Sequence, residues 1–128
     1  MKMRAQIVFC CVFSLLLVSI ASAQQSGKSQ SFYTEGTFTN ITAGEGGDYG
    51  GMQVYLTDSD GQFYAAVTIA EGVLLPPVLV KANVQVEKRQ IEFTLPGENR
   101  RKFTGTVTAD GLTLVESGTK IFLKRKCY

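Results

Sequence analysis

Two acidic residues in one short turn, Asp58 and Asp60, are the side chains whose type and spacing could bind a metal ion. Hard cations such as Ca²⁺ bind clustered carboxylates together with carbonyl oxygens from a turn. A calcium loop needs further oxygen ligands beyond these two, and the following residues, Gln62, Phe63 and Tyr64, do not supply them. The sequence DSDG therefore indicates a simple turn, and we predict no metal site.

The sequence contains no combination of residues that would indicate an enzyme active site. It contains no histidine, which removes the commonest general base and metal ligand. It has no Gly-x-Ser-x-Gly motif for a nucleophilic serine, and Cys127 has no imidazole partner to activate its thiol. We therefore predict a protein that is not an enzyme and has no cofactor.

The glycine-rich stretch from Gly44 to Gly51 resembles a phosphate-binding loop only in its glycine content. No lysine followed by serine or threonine comes after it, and Glu45 and Asp48 would repel an anion. We predict a mobile loop over Ile41–Gly51, in which Tyr49 is the residue able to stack on a ligand.

The first 23 residues have the three parts of a secretory signal peptide. Lys2 and Arg4 are positive, Ile7 to Ile20 is apolar, and small residues end at Ala23. The apolar run is shorter than the about 20 residues that span a bilayer, so cleavage after Ala23 is favoured over a membrane anchor. We predict secretion or export to the periplasm with no stable membrane anchor, a flexible leader over residues 24–30 and one folded domain over residues 31–128.

The charge of the predicted secreted part is balanced, with eleven basic and eleven acidic residues after Ala23. Nucleic-acid-binding proteins usually carry a basic excess, so we predict no nucleic-acid partner. Cys127 is the single cysteine of this part. It is either an inert thiol or the site of a disulfide-linked dimer in an oxidising compartment.

Apolar and polar residues alternate through the chain after residue 31, which is typical of strands. Asp110-Gly111 and Ser117-Gly118 separate the last three alternating segments, and such dipeptides are typical of tight hairpin turns. Eight strands and no helix are predicted, at residues 32–40, 52–57, 63–68, 78–86, 91–95, 103–108, 112–116 and 121–125. Short connections favour antiparallel neighbours, so we predict an all-β domain, a single eight-stranded antiparallel up-and-down barrel, with a two-sheet β-sandwich as the alternative.

Three longer connections alternate with the tight turns, at Ile41–Gly51, Ile69–Pro77 and Pro96–Arg100. In an up-and-down meander alternate connections lie at the same end, so these three are expected to share one rim, where a binding mouth would lie. The candidate residues of a ligand rim are Tyr49, Leu74, Leu75, Asn99 and Arg100.

The predicted inward positions carry no charge. An eight-stranded barrel is either filled by side chains or holds one small ligand, and the sequence leaves both open. A ligand inside would have to be apolar, because burying an unpaired polar group costs about 1–3 kcal/mol. The candidate interior residues are Phe38, Ala65, Phe93, Phe103 and Gly105.

Four stretches, EGTFTN, MQVYLTDSDGQFYAAV, IEFTLP and FTGTVTADGLTLVESGTKIFLKRK, carry a resemblance that covers most of residues 35–126. The chain resembles the small all-β domain that accompanies some bacterial secreted α/β-hydrolases and that also occurs alone in exported proteins. More distantly it is similar to the avidin and lipocalin type of meander barrel, in which the first strand typically carries a tryptophan where this chain has Phe38. The resemblance implies a barrel with an accessory or binding role, but not biotin-type recognition built on tryptophan.

Two functions follow as expectations. The first is an exported binding or accessory module with an apolar interior, a loop-lined rim and a small apolar ligand. The second is an interaction domain with a filled interior, which binds another exported protein or the cell envelope through its outer face.

Overall fold

The computed structural model describes residues 34–128, and its strands alternate in direction along a single sheet. The strands are β1 (Gly36–Thr39), β2 (Thr42–Ala43), β3 (Tyr49–Ser59), β4 (Gln62–Leu74), β5 (Val78–Gln85), β6 (Gln90–Leu95), β7 (Arg101–Val107), β8 (Gly111–Glu116) and β9 (Thr119–Lys126), with a 3₁₀ turn at Val86–Lys88. The predicted signal peptide, the predicted leader and the first residues of predicted strand one lie outside the described residues.

The sheet closes on itself. Each strand from β3 to β9 pairs antiparallel with the next, and β1 pairs with both β9 and β3. β2 continues β1 along the same partner strand in the same register, so the two form one interrupted strand. The predicted all-β fold, an eight-stranded antiparallel up-and-down barrel, is confirmed, and the sandwich alternative is wrong.

The interior is packed with apolar side chains from every strand of the barrel. Strict alternation along β6 illustrates the cause, because Ile91, Phe93 and Leu95 are buried and the residues between them are exposed. The phenyl rings of Phe93 and Phe103 stack with their centroids 5.2 Å apart. The buried apolar core comprises Phe38, Met52, Val54, Leu56, Phe63, Ala65, Val67, Ala82, Ile91, Phe93, Leu95, Phe103, Val107, Leu112, Leu114 and Leu123.

Two of the predicted tight turns have the backbone that their sequences favour. Asp60-Gly61 and Ser117-Gly118 both have positive φ at each residue, as a two-residue turn between twisted strands requires. Asp58 also contributes, since its Oδ1 accepts a hydrogen bond of 2.8 Å from the Gly61 amide. The carboxylate of the DSDG sequence thus stabilises the turn.

Two connections are shorter than predicted. Between Ile41 and Gly51 the chain continues as β2 and the start of β3, which leaves a loop of residues 44–48. Gly51 has φ +113°, and a Cβ there would lie 2.6 Å from Asn40 Oδ1, which accepts a hydrogen bond from the Met52 amide. Likewise β4 extends to Leu74, well past the predicted end at residue 68.

Arg125 on β9 closes the opposite end of the barrel from these loops. Its guanidinium donates hydrogen bonds to the main-chain oxygens of Glu35 (2.7 Å), Thr108 (3.0 Å) and Ala109 (3.1 Å). The same group lies over the Phe38 ring, with Cζ 4.6 Å from the ring centroid. Partial burial lowers the pKa of Arg125 from its ordinary value. One cation therefore joins the first strand, the last strand and the β7–β8 turn.

Residues 34–128 include no helix long and apolar enough to cross a membrane.

Candidate functional site

One end of the barrel gathers the longer loops. Because neighbouring strands alternate in direction, the connections at residues 44–48, 75–77, 96–100 and 117–118 all lie at this end. The five residues predicted for a ligand rim are exposed here: Tyr49, Leu74, Leu75, Asn99 and Arg100. We call this end the loop rim.

The most unusual feature of the loop rim is the apolar segment, which we define as Val73–Leu79. Its seven consecutive residues are all apolar and all exposed, and the exposed fractions of its valines and leucines range from 37% at Val78 to 67% at Leu79. Large exposed apolar patches are rare on monomeric proteins, and where they occur they commonly mark interaction sites. This segment is therefore the first component of the candidate site.

Local backbone chemistry explains why these residues do not fold into the core. Gly72 has φ +80°, which interrupts the inward and outward alternation of β4 just before the segment. The Leu75 amide then donates a hydrogen bond of 2.9 Å to the Ile69 carbonyl, which turns the chain back. Pro76 and Pro77 cannot donate to a ladder, so the chain leaves the sheet until β5 begins at Val78.

A cleft in the barrel wall adjoins the apolar segment and is the second component of the site. β5 pairs with β4 over Val78–Ala82 but with β6 only over Asn83–Gln85. The two strands diverge towards the loop rim, and the space there measures about 1010 Å³. Its lining includes Leu79, Val80, Lys81, Phe93, Leu95 and Arg100. We call this space the β5–β6 cleft.

The charge at the cleft is positive. Lys81 and Arg100 line it, and neither takes part in a salt bridge with the residues between 34 and 128. Glu92 also lines it, but its carboxylate lies 3.1 Å from Lys102 Nζ. The cleft thus carries two cations that no carboxylate of the described chain neutralises.

A second charged group stabilises the loop rim beside the cleft. Arg101 donates two hydrogen bonds to the carboxylate of Glu116, one of them from Nη2 at 2.8 Å. Its Nη1 also lies 4.0 Å from Oε1 of Glu71. The hydrogen bond from Arg101 lowers the pKa of Glu116, and the hydrogen bond to Glu116 raises the pKa of Arg101. This pair links β7 to β8 and brings both close to the end of β4.

The candidate interior residues lie in a closely packed part of the barrel. Phe38, Ala65 and Phe103 are completely buried, and Phe93 is almost completely buried. At Gly105, another candidate interior residue, a Cβ would lie 2.3 Å from the Thr113 carbonyl oxygen. A ligand in the centre would have to displace these side chains.

Sequence reasoning missed the cleft and two of its residues, Leu79 and Lys81. A signal for the segment was available, because VLLPPVLV is apolar on both faces where a half-exposed strand would alternate. No comparable signal marks the divergence of β5 from β6. That divergence depends on how far neighbouring strands pair, which sequence alternation does not specify.

Two other expectations concern metals and cysteine. Within the part of the chain that the structure describes, no three acidic or cysteine side chains gather where they could bind a metal ion. Cys127 is exposed next to the last residue, and the disulfide-linked dimer stays a prediction.

Comparisons of the chain with protein-family models, with curated proteins and with solved structures give no match. The candidate site therefore stands on its own geometry, which combines an exposed apolar segment, an unpaired stretch of strand and two cations.

Proposed function

We propose that this protein is an exported, non-enzymatic interaction module that binds another protein through the loop rim. The observation that carries the proposal is the apolar segment, in which seven consecutive apolar residues are exposed at one end of a closed barrel. Keeping such a segment in water is unfavourable by about 25 cal/mol per Å² of apolar surface, and a partner that covers it recovers that free energy. Export rests on the predicted signal peptide, and an accessory role beside a secreted hydrolase rests on the resemblance.

The packing of the barrel favours this function over storage of a small apolar ligand. Phe38, Leu56 and Leu114 have no accessible surface, so side chains fill the centre of the barrel. The surface outside the core, in contrast, presents both apolar groups and unpaired backbone. These observations support the filled interior and the partner binding of the second expected function, but the binding surface that we propose is the loop rim and not the outer face.

Site-specific photo-crosslinking in the host cell tests the proposal. A photoreactive amino acid replaces Leu74 in the apolar segment, and a matched variant carries it at Glu87, an exposed residue at the opposite end of the barrel. We expect a discrete covalent adduct with one protein at position 74 and none at position 87. The adduct should disappear when Leu75 and Leu79 are both changed to serine, because the apolar contact is lost.

Two results would refute the interaction module. One is the absence of any adduct at position 74 under conditions in which the photoreactive group is activated. The other is the same set of adducts at both positions, which would show random encounter. Saturable binding of a fatty acid by the purified protein, with changes at Phe38 and Phe103, would favour the interior-ligand function instead.

A further inference from the structure

We propose that the β5–β6 cleft binds an extended, acidic peptide segment of the partner as an added β-strand. The inference rests on the proposed function, since it specifies how the interaction module holds its partner. Three features of the cleft carry it: unpaired backbone, apolar side chains at its walls, and two cations without a carboxylate partner.

The unpaired backbone makes the cleft receptive to a strand. Val78–Lys81 of β5 pair with β4 on one side only, and Thr94 and Leu95 of β6 pair with β7 on one side only. Each strand therefore turns a short run of main-chain donors and acceptors towards the cleft. An extended peptide satisfies such groups through its own backbone, which is the basis of recognition by strand addition.

The side chains at the walls define what the added strand would present. Val80, Phe93 and Leu95 approach the cleft from the interior side, whereas Leu79 is exposed at its mouth. Side chains of a strand alternate between two faces, so one face of the peptide would contact these apolar groups and the other would face water. We expect apolar residues at every second position of the peptide.

The positive charges of the cleft determine which residues of the peptide should lie between its apolar positions. Lys81 and Arg100 both line the cleft and are exposed, and the nearby carboxylate of Glu92 is already occupied by Lys102. Glu98 lies in the loop that leads to Arg100 but does not line the cleft. Aspartate or glutamate on the water-facing side of the peptide would pair with the two cations, whereas lysine there would be repelled.

A fatty acid shares the apolar and anionic character of this peptide but fits the cleft less well. Its acyl chain has no donor or acceptor, so it would cover the unpaired main-chain groups of β5 and β6 without satisfying them. Each buried group left in that state costs about 1–3 kcal/mol. The backbone edges therefore favour a polypeptide over a lipid.

Titration of the isotope-labelled protein by NMR with three synthetic octapeptides tests the proposal. The first alternates valine and glutamate, the second alternates valine and lysine, and the third is the glutamate peptide with alternate amides N-methylated. We expect saturable shifts confined to β5, β6 and the residue 96–100 loop with the glutamate peptide. The N-methylated peptide should bind at least about tenfold more weakly, because its methylated amides can no longer donate hydrogen bonds to the strand edges.

Charge reversal provides the matched variants. Lys81→Glu with Arg100→Glu should abolish binding of the glutamate peptide and permit binding of the lysine peptide. Lys88→Glu with Lys126→Glu changes the net charge equally at exposed positions outside the cleft and should leave binding unchanged. Circular dichroism of each variant establishes that the barrel is folded before titration.

Several outcomes would overturn strand addition. They are no saturable shift with the glutamate peptide, equal binding of its N-methylated form, equal binding of the lysine peptide, or displacement of the glutamate peptide by laurate at lower concentration. These results are distinguishable from failure of the proposed function. A crosslink at position 74 that survives the Lys81 and Arg100 changes would retain the interaction module and remove only the added strand.

Discussion

Replacing Arg125 with methionine tests whether one side chain closes the end of the barrel away from the loop rim. Methionine keeps most of the aliphatic length and packing of arginine but removes the guanidinium. The change deletes the hydrogen bonds to the carbonyl oxygens of Glu35, Thr108 and Ala109 and the cation contact with the Phe38 ring. Segments far apart in the sequence then lose their common partner.

The expected loss of stability follows from these contacts. A hydrogen bond from a charged group contributes about 1.5–3 kcal/mol, and a cation over an aromatic ring about 0.5–2 kcal/mol. The bonds to Thr108 and Ala109 are exposed, so water replaces part of their contribution in the variant. We therefore expect the free energy of unfolding to fall by about 2–4 kcal/mol, which lowers Tm by about 10–20 °C for a domain of this size.

Urea denaturation of the wild type and of three variants, Arg125→Met, Lys124→Met and Arg125→Lys, measures this loss. Lys124→Met, on the same strand, is the control, since Lys124 is exposed and its loss should change stability by at most about 0.5 kcal/mol. Arg125→Lys should give an intermediate loss, because lysine keeps the charge but not the planar fork. A value for Arg125→Met within 0.5 kcal/mol of the control, at an unchanged m-value, would refute the closing role of this residue.

Two further predictions concern the barrel wall. Glu116→Gln should lower stability by about 1 kcal/mol at pH 7, because the partly exposed pair with Arg101 is worth no more than that. Because the pKa of Glu116 is lowered in the folded state, the extra stability of the wild type should be complete above the unfolded pKa of about 4.3 and should vanish as the pH falls through the folded pKa. Denaturation at pH 2 to 7 measures this, and extra stability that persists at pH 2 would contradict it. Gly105→Ala should cost about 1–3 kcal/mol, because the new Cβ would lie 2.3 Å from the Thr113 oxygen, whereas Gly50→Ala, with open space around its Cβ, should be nearly neutral; equal thermal stability of the two variants would contradict this.

Turn chemistry and alternation predicted most of the fold. Asp60-Gly61 and Ser117-Gly118 adopt the positive φ angles that two-residue hairpins need, and the inward positions of β6 are the buried ones. Both signals are local: a turn dipeptide limits its own backbone, and a strand exposes every second residue. Such signals identify which face of a strand is buried without knowledge of its neighbours.

The errors arise where a neighbouring strand decides the outcome. Glycine content predicted a mobile loop from Ile41 to Gly51, but β3 runs alongside and orders Thr42–Ala43 by pairing with Tyr49 and Gly50. The cleft has the same cause, since β5 pairs first with β4 and later with β6 along its length. Sequence alternation specifies faces, not the stagger between strands, so neither feature was predictable.

The candidate site, too, was predictable from the sequence only in part. The exposure of Leu74, Leu75, Asn99 and Arg100 at one rim follows from connections that alternate between the two ends, and that was predicted. The sequence left open whether Phe103 and Gly105 line a ligand cavity or fill the centre, because that depends on how tightly the centre packs. Packing density depends on all strands together, and a residue-by-residue pattern does not determine it.

Pairing of β1 with β9 has a consequence for biogenesis. The first and last strands of the domain are neighbours, so the sheet has two open edges until residue Lys126 is available to the folding chain. Contacts between residues so distant in sequence form slowly, and unpaired edges favour aggregation while they persist. A chain that stops before Lys124 would therefore keep an open sheet, because β1 would lack its partner on that side.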